Sequence, residues 1–138
     1  MSEIKYAATT IQKWFRFSLE DLQTAKLVYA ADQTKLKQIG YLSQQSIEKS
    51  LKAYICFLGL KNRNTHNLAD LSRMILEKEA DLKNLLEQTV PFTIFVAFRY
   101  PDAFDQEPDL EFVESALKCA ELVFKTLSAK VPFKGFIE

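Results

Sequence analysis

The feature that most constrains this chain is how little interrupts its amphipathic runs. Its 138 residues contain three glycines and four prolines, and these fall between long stretches of helical periodicity. Glycine and proline are the strongest punctuation of local structure, so this spacing favours helices over short strands. Over residues 10–31, Phe15, Leu19, Leu22, Ala25 and Tyr29 recur every three or four positions, as one buried helix face requires. Thr9 and Gln12 stand at capping-box spacing near its start. A second helix is predicted over residues 35–58. Ile47, Leu51, Tyr54 and Leu58 form its apolar stripe, and Gly59 is placed for a left-handed C-terminal turn. Gly40, inside that helix, costs about 1 kcal/mol relative to alanine, which packing must offset.

A polar connection over residues 61–66 leads to Asn67, an N-cap candidate. Leu68, Leu71, Ile75 and Leu82 then mark a third buried face, and Leu85 and Leu86 carry helical character on to residue 88. Pro91 interrupts it. Residues 92–98 have strand propensity, but a lone strand would have nothing to pair with, so a short helix is predicted there. Prolines and aspartates mark residues 99–108 as a loop. In the last helix, over residues 109–128, Val113, Ala116, Leu117, Ala120, Val123 and Leu127 face inward. Glu114/Lys118 and Glu121/Lys125 are i,i+4 ion pairs on its outer side. The expected fold is all-α: an antiparallel up-and-down bundle of four main helices plus a short fifth, with residues 1–138 as one domain.

Charge narrows the function classes. Lys+Arg and Asp+Glu both number 18, whereas a protein gripping nucleic acid through its phosphates usually carries a basic excess. Cys56 and Cys119 lie in apolar helical patterns, and His66 is the single histidine, too few ligands for a zinc site. Buried free thiols suit a reducing compartment. Residues 1–10 hold no apolar signal-peptide core, and no run approaches the roughly 20 apolar residues of a membrane span. A cytoplasmic protein without membrane attachment, metal or cofactor is expected.

Three groups of residues can carry function. Gln45, Glu48, Lys49 and Lys52, at i, i+3, i+4 and i+7, share one side of the second helix. They read either as a solvated face with a Glu48/Lys52 ion pair or as a contact for a partner or a nucleotide phosphate. His66 reads as a capping or packing residue, because no serine or cysteine nucleophile can be placed beside it. Arg99-Tyr100-Pro101-Asp102 sets a guanidinium beside an aromatic ring and a carboxylate on a proline-fixed loop. Such a loop could clamp a phosphate or a base, or could simply close an Arg99/Asp102 ion pair.

The order of these features resembles the HEPN domains of bacteria and archaea. It is carried by Trp14 with Ser18-Leu19-Glu20-Asp21-Leu22 and Ala25, and by the block from Gln44-Gln45-Ser46-Ile47-Glu48 through Lys49-Ser50-Leu51-Lys52-Ala53. His66-Asn67-Leu68-Ala69-Asp70-Leu71 and Arg99-Tyr100-Pro101-Asp102 follow, so that the likeness runs from Trp14 to Leu127. The resemblance implies a helical bundle that forms a homodimer and, in many members, acts beside a small nucleotidyltransferase in a toxin–antitoxin-like pair. Ribonuclease members carry Arg-x(4–6)-His, with arginine on the scissile phosphate and imidazole moving protons at the 2′-hydroxyl. Here the corresponding positions after Arg99 hold Phe104, Asp105 and Gln106. A carboxylate ordinarily titrates too low to replace that imidazole without strong burial.

The sequence therefore points to a non-catalytic binding module with a nucleotidyltransferase partner and a nucleotide as candidate ligand. Gln45, Glu48, Lys49, Lys52, His66, Arg99, Tyr100 and Asp102 are its signature positions. Two rivals stay open. One is an RNA-cleaving toxin pairing Arg99 with Asp102, Asp105 or His66, although RNA is the disfavoured ligand. The other is a purely structural dimeric adaptor.

Overall fold

In the computed structural model, which describes residues 3–100 and 107–132, helix α1 spans Ala8–Ala31 and α2 spans Leu36–Phe57. The turn between them is closed by Asp32, whose carboxylate accepts from the Thr34 N–H at 3.0 Å and the Thr34 hydroxyl at 2.6 Å. Those two donors hold the Asp32 carboxyl below its usual range. A turn this short forces α2 to run back antiparallel along α1. The two helices approach closely where their side chains are small. Ser18 donates to the Ser46 carbonyl at 2.7 Å, and its oxygen lies 3.0 Å from the Ser46 hydroxyl and 2.7 Å from that of Ser50. All three serines are fully buried, so these hydroxyls satisfy one another within the interface.

Helix α2 is the central element, packed by α1, by α5 (Leu110–Ala129) and by the segments between them. Ile39, Ile47, Leu51 and Ile55 from α2 meet Phe15 of α1 and Val123 and Leu127 of α5, all with no exposed surface. Gly59 ends α2 at φ +77°, the left-handed geometry glycine adopts without a Cβ penalty. Its carbonyl accepts from the Ile4 N–H at 2.9 Å, which ties down the chain ahead of α1.

The expected helix after the polar connection is real but broken. Helix α3 covers Leu68–Leu76, a 3-10 turn Ala80–Leu82 follows, and α4 is the short Lys83–Glu87. The break falls at Glu79, which leaves helical geometry (φ −138°, ψ 83°) while its carboxylate accepts from the Tyr54 hydroxyl at 2.7 Å. Residues 92–98 lie within a ten-residue 3-10 stretch, Val90–Arg99, so the apolar β-branched run is helical; there is no strand among the described residues. It packs as an aromatic wedge, with Phe95 5.3 Å from Phe112 and 5.8 Å from Phe98 between ring centroids.

Two local expectations change. The Thr9/Gln12 capping box does not form, because the helix begins two residues earlier with Ala7 at the N-cap and no side-chain cap. Glu114 accepts from the Tyr29 hydroxyl of α1 in place of pairing with Lys118. Glu121 does lie 4.0 Å from Lys125, but it also bonds Lys26, so both carboxylates join α1 to α5 across the bundle.

At α3 the expected cap is present: the Asn67 side chain accepts from the Ala69 and Asp70 N–H groups at 2.9 and 3.2 Å. Replacing it by alanine leaves those donors without their acceptor. Asn67→Ala is expected to cost about 1 kcal/mol in urea unfolding, and Asn67→Gly only a few tenths.

Both cysteines are free and buried, and burial pushes the thiol of Cys56 up to about 11 and that of Cys119 up to about 12. A thiol so raised stays protonated at neutral pH and is a poor nucleophile. Neither is expected to react with a thiol reagent at pH 7.5 until denaturant is added, after which both should titrate. No helix among the described residues is long and apolar enough to cross a membrane.

Candidate functional site

On α2, Gln44, Glu48 and Lys52 stand one turn apart and therefore on one side of the helix. The Gln44 amide donates to Glu48 Oε1 at 3.1 Å, and Lys52 Nζ donates to Glu48 Oε2 at 3.1 Å. Gln45 donates in turn to Gln44 Oε1 at 2.8 Å, which leaves the Gln44 NH₂ directed at Glu48. From the loop ahead of α3, His66 Nδ1 lies 3.0 Å from Oε1 and 3.2 Å from Oε2 of the same carboxylate. Burial falls off outward along this group: the Glu48 and Lys52 side chains are 5% and 9% exposed, that of His66 61%. The Lys52 ammonium also sits 5.7 Å from the centre of the Trp14 ring on α1.

The stripe is thus not a solvated face. Its ion pair exists, but inside the protein, covered by Trp14 and by the loop that carries His66. An ionised carboxylate only accepts hydrogen bonds, and Gln44 and Lys52 are both donors. The network accordingly assigns the proton to His66 Nδ1 and leaves Nε2 with a lone pair in the neutral ring. The same loop is pinned by Asn62, whose amide donates to Cys56 Sγ at 2.9 Å and to the Lys52 carbonyl at 3.4 Å.

Lys49 faces the other way. Its Nζ bonds Asp21 Oδ2 on α1 at 2.6 Å, with a quarter of the side chain in solvent. It lies 6.0 Å from the centre of the Phe17 ring, and Lys13 lies 5.9 Å from the same ring. Phe17 is 39% exposed, so this is an aromatic face flanked by two ammonium groups at the surface.

Arg99 ends the 3-10 segment, and Tyr100 beside it is exposed. The side chain of Arg99, and Pro101 and Asp102 altogether, lie outside the described residues. The segment is joined to the start of α3, just after His66, through Thr93, whose hydroxyl accepts from the Leu68 N–H at 3.1 Å. Of the eight signature positions, Glu48, Lys52 and His66 are brought together, Gln45 braces them through Gln44, Lys49 sits on the α1 side, and Arg99 and Tyr100 sit on a separate element. Sequence reasoning missed Gln44, Trp14 and Asp21 as the partners that hold this group. The Gln44/Glu48/Lys52 spacing of four was the available signal, since it predicts a row straight along the helix.

Elsewhere, a groove of about 390 Å³ between α5 and the start of the 3-10 stretch is lined by Phe92, Cys119, Lys118 and Leu122. No group of three metal-ligating side chains occurs among the described residues.

The architecture defines a small all-α bundle protein in which α2 carries a buried carboxylate–ammonium pair that holds an exposed imidazole from the loop ahead of α3. The model of the HEPN domain matches residues 11–130, and the chain belongs to that family. Among solved structures, an archaeal HEPN homologue aligns with a TM-score of 0.64 at 21% identity, over 87% of this chain and 96% of that one. At that identity the likeness is one of fold. No curated protein matches.

Proposed function

We propose that this chain is a non-catalytic HEPN binding module that forms a homodimer and pairs with a small nucleotidyltransferase in the cytoplasm, with a nucleotide as candidate ligand. The observation that carries the reading is the position of the single imidazole. His66 stands ahead of α3, held by Glu48, while the places where the family's ribonucleases carry histidine after their arginine are Phe104, Asp105 and Gln106. Arg99 can then hold an anion without a matched group to move a proton. Glu48 and Lys52 are enclosed, whereas Lys49 keeps a quarter of its side chain in solvent beside its Asp21 partner, so ligand contact is assigned to Lys49, Arg99 and Tyr100.

The test is to co-express the chain with the product of the adjacent gene, purify the complex, and titrate it with ATP in a calorimeter. Co-purification with a nucleotidyltransferase, and ATP binding weakened by Lys49→Ala and Arg99→Ala, is the expected result. Absence of any such neighbour or complex overturns the partner. Degradation of RNA by the purified chain that disappears in Arg99→Ala overturns the non-catalytic assignment.

A further inference from the structure

The binding reading leaves the exposed edge of His66 unused, yet that edge is prepared for chemistry. An imidazole whose Nδ1–H is hydrogen-bonded to a carboxylate has a fixed ring plane and carries its lone pair on the distal nitrogen. Here the carboxylate is itself immobilised: Glu48 accepts from Gln44 on one oxygen and from Lys52 on the other, and both donors are buried. The Nε2 side opens outward, with 61% of the side chain in solvent. Holding a surface loop in place requires a hydrogen bond, which a glutamine could supply. It does not require a buried ionic carboxylate backed by an ammonium group and presenting a free imidazole nitrogen.

The surroundings select the electrophile. Lys61 and Arg63 are exposed in the same loop and Lys52 backs Glu48, three cationic groups against the carboxylates of Glu48 and Asp70, so the local charge favours an anion. An anionic electrophile that reacts with imidazole nitrogen is a phosphoryl group.

The geometry points to His66 as a phosphoryl acceptor, its Nε2 taking the group from a small activated donor of the phosphoramidate or acyl-phosphate class. In the step, the Nε2 lone pair attacks phosphorus. The new P–N bond forms as the bond from phosphorus to the leaving group breaks, and the leaving group departs with that electron pair. The ring becomes cationic with Nδ1 still protonated, and that charge lies against Glu48. Loss of the Nδ1 proton to solvent returns the ring to neutrality. Water can later cleave the P–N bond, releasing inorganic phosphate and restoring the imidazole. Glu48 is here a positioning residue, because it acts only through the ring of His66.

The experiment uses potassium phosphoramidate on the intact protein and, in parallel, on a peptide of residues 60–71, which carries His66 without Glu48. Intact mass before and after acid treatment follows the adduct, since phosphohistidine is acid-labile and base-stable. The protein is expected to gain one phosphoryl group faster than the peptide, because its imidazole is held in one tautomer and one ring plane. His66→Asn should gain none, and Glu48→Gln, checked for fold by circular dichroism, should fall between the protein and the peptide, because its amide oxygen can still accept from Nδ1–H but carries no charge. A protein no faster than the peptide overturns the proposal, as does labelling that survives in His66→Asn. If Glu48→Gln does not fold, the comparison of protein with peptide decides by itself. The outcome is independent of whether a nucleotidyltransferase binds.

Discussion

Glu48→Ala is expected to lower stability by about 3–5 kcal/mol, the cost of leaving one partner of a buried ion pair without the other. That corresponds to a fall of roughly 10–20 °C in melting temperature for a chain of this size. The carboxylate is 5% exposed and holds three groups at once: Gln44, Lys52 and His66. Without it the Lys52 ammonium, 9% exposed, loses its carboxylate and is left beside the Trp14 ring. Hydration through a cavity the size of the lost side chain recovers part of that energy and no more. The sharper test is the double variant Glu48→Leu/Lys52→Met, in which both charges leave together. It should be markedly more stable than Glu48→Ala, since replacing a whole buried pair by apolar groups is often neutral. Urea unfolding of the two variants decides the point. A Glu48→Ala loss below about 1 kcal/mol would place the pair among solvated surface bridges and remove the site described above.

This prediction could not have been made from the sequence, and the reason is geometric. Periodicity separates an apolar side of a helix from a polar one, and it placed Ile47, Leu51 and Tyr54 in the core, where they are fully buried or nearly so. It cannot show what covers a polar side. The stripe Gln45/Glu48/Lys49/Lys52 looks solvated on a helical projection because nothing in α2 itself reveals that Trp14 and the loop at His66 close over two of the four. The information lay in long-range pairs: residues 48 and 66 meet across 18 positions, and 21 and 49 across 28. By contrast, the elements set by local chemistry were legible. Gly59 adopts the left-handed conformation and Asn67 caps α3, as their positions predicted.

Two further differences have separate causes. The helix expected through residue 88 breaks because a tertiary partner outbids local propensity: the Tyr54 hydroxyl draws in Glu79, and Lys130 Nζ lies 3.8 Å from the same carboxylate. The capping box at Thr9 fails for the simpler reason that helical backbone already starts at Ala8. Neither affects the candidate site, whose position depends on α2 and the loop after it.

Gly40 shows how tertiary contact reverses a propensity argument. In an isolated helix, Gly40→Ala would gain about 1 kcal/mol. In this fold a Cβ at Gly40 would stand 2.0, 2.4 and 2.6 Å from three carbons of the Phe95 ring, far inside van der Waals contact. Phe95 has no exposed surface and is backed by Phe98 and Phe112, so the ring has nowhere to retreat. Gly40→Ala is therefore expected to lose about 1–3 kcal/mol through overpacking, the opposite sign to the helix scale. Phe95→Ala removes the ring and should cost about 3–5 kcal/mol from lost burial and the cavity left behind. The double variant is expected to cost less than the sum of the two, because the new Cβ enters space the ring has vacated; coupling of about 0.5–3 kcal/mol is the usual range for residues in contact. Chemical denaturation of the four proteins in the cycle measures it. The contact also bears on function, since Phe95 anchors the 3-10 segment that ends at Arg99. Loss of nucleotide binding in Phe95→Ala, at a temperature where the variant is still folded, would show that this anchor sets where Arg99 is presented. Strict additivity in the cycle would mean that the ring and Gly40 do not touch in solution, and the seating of that segment on α2 would have to be abandoned.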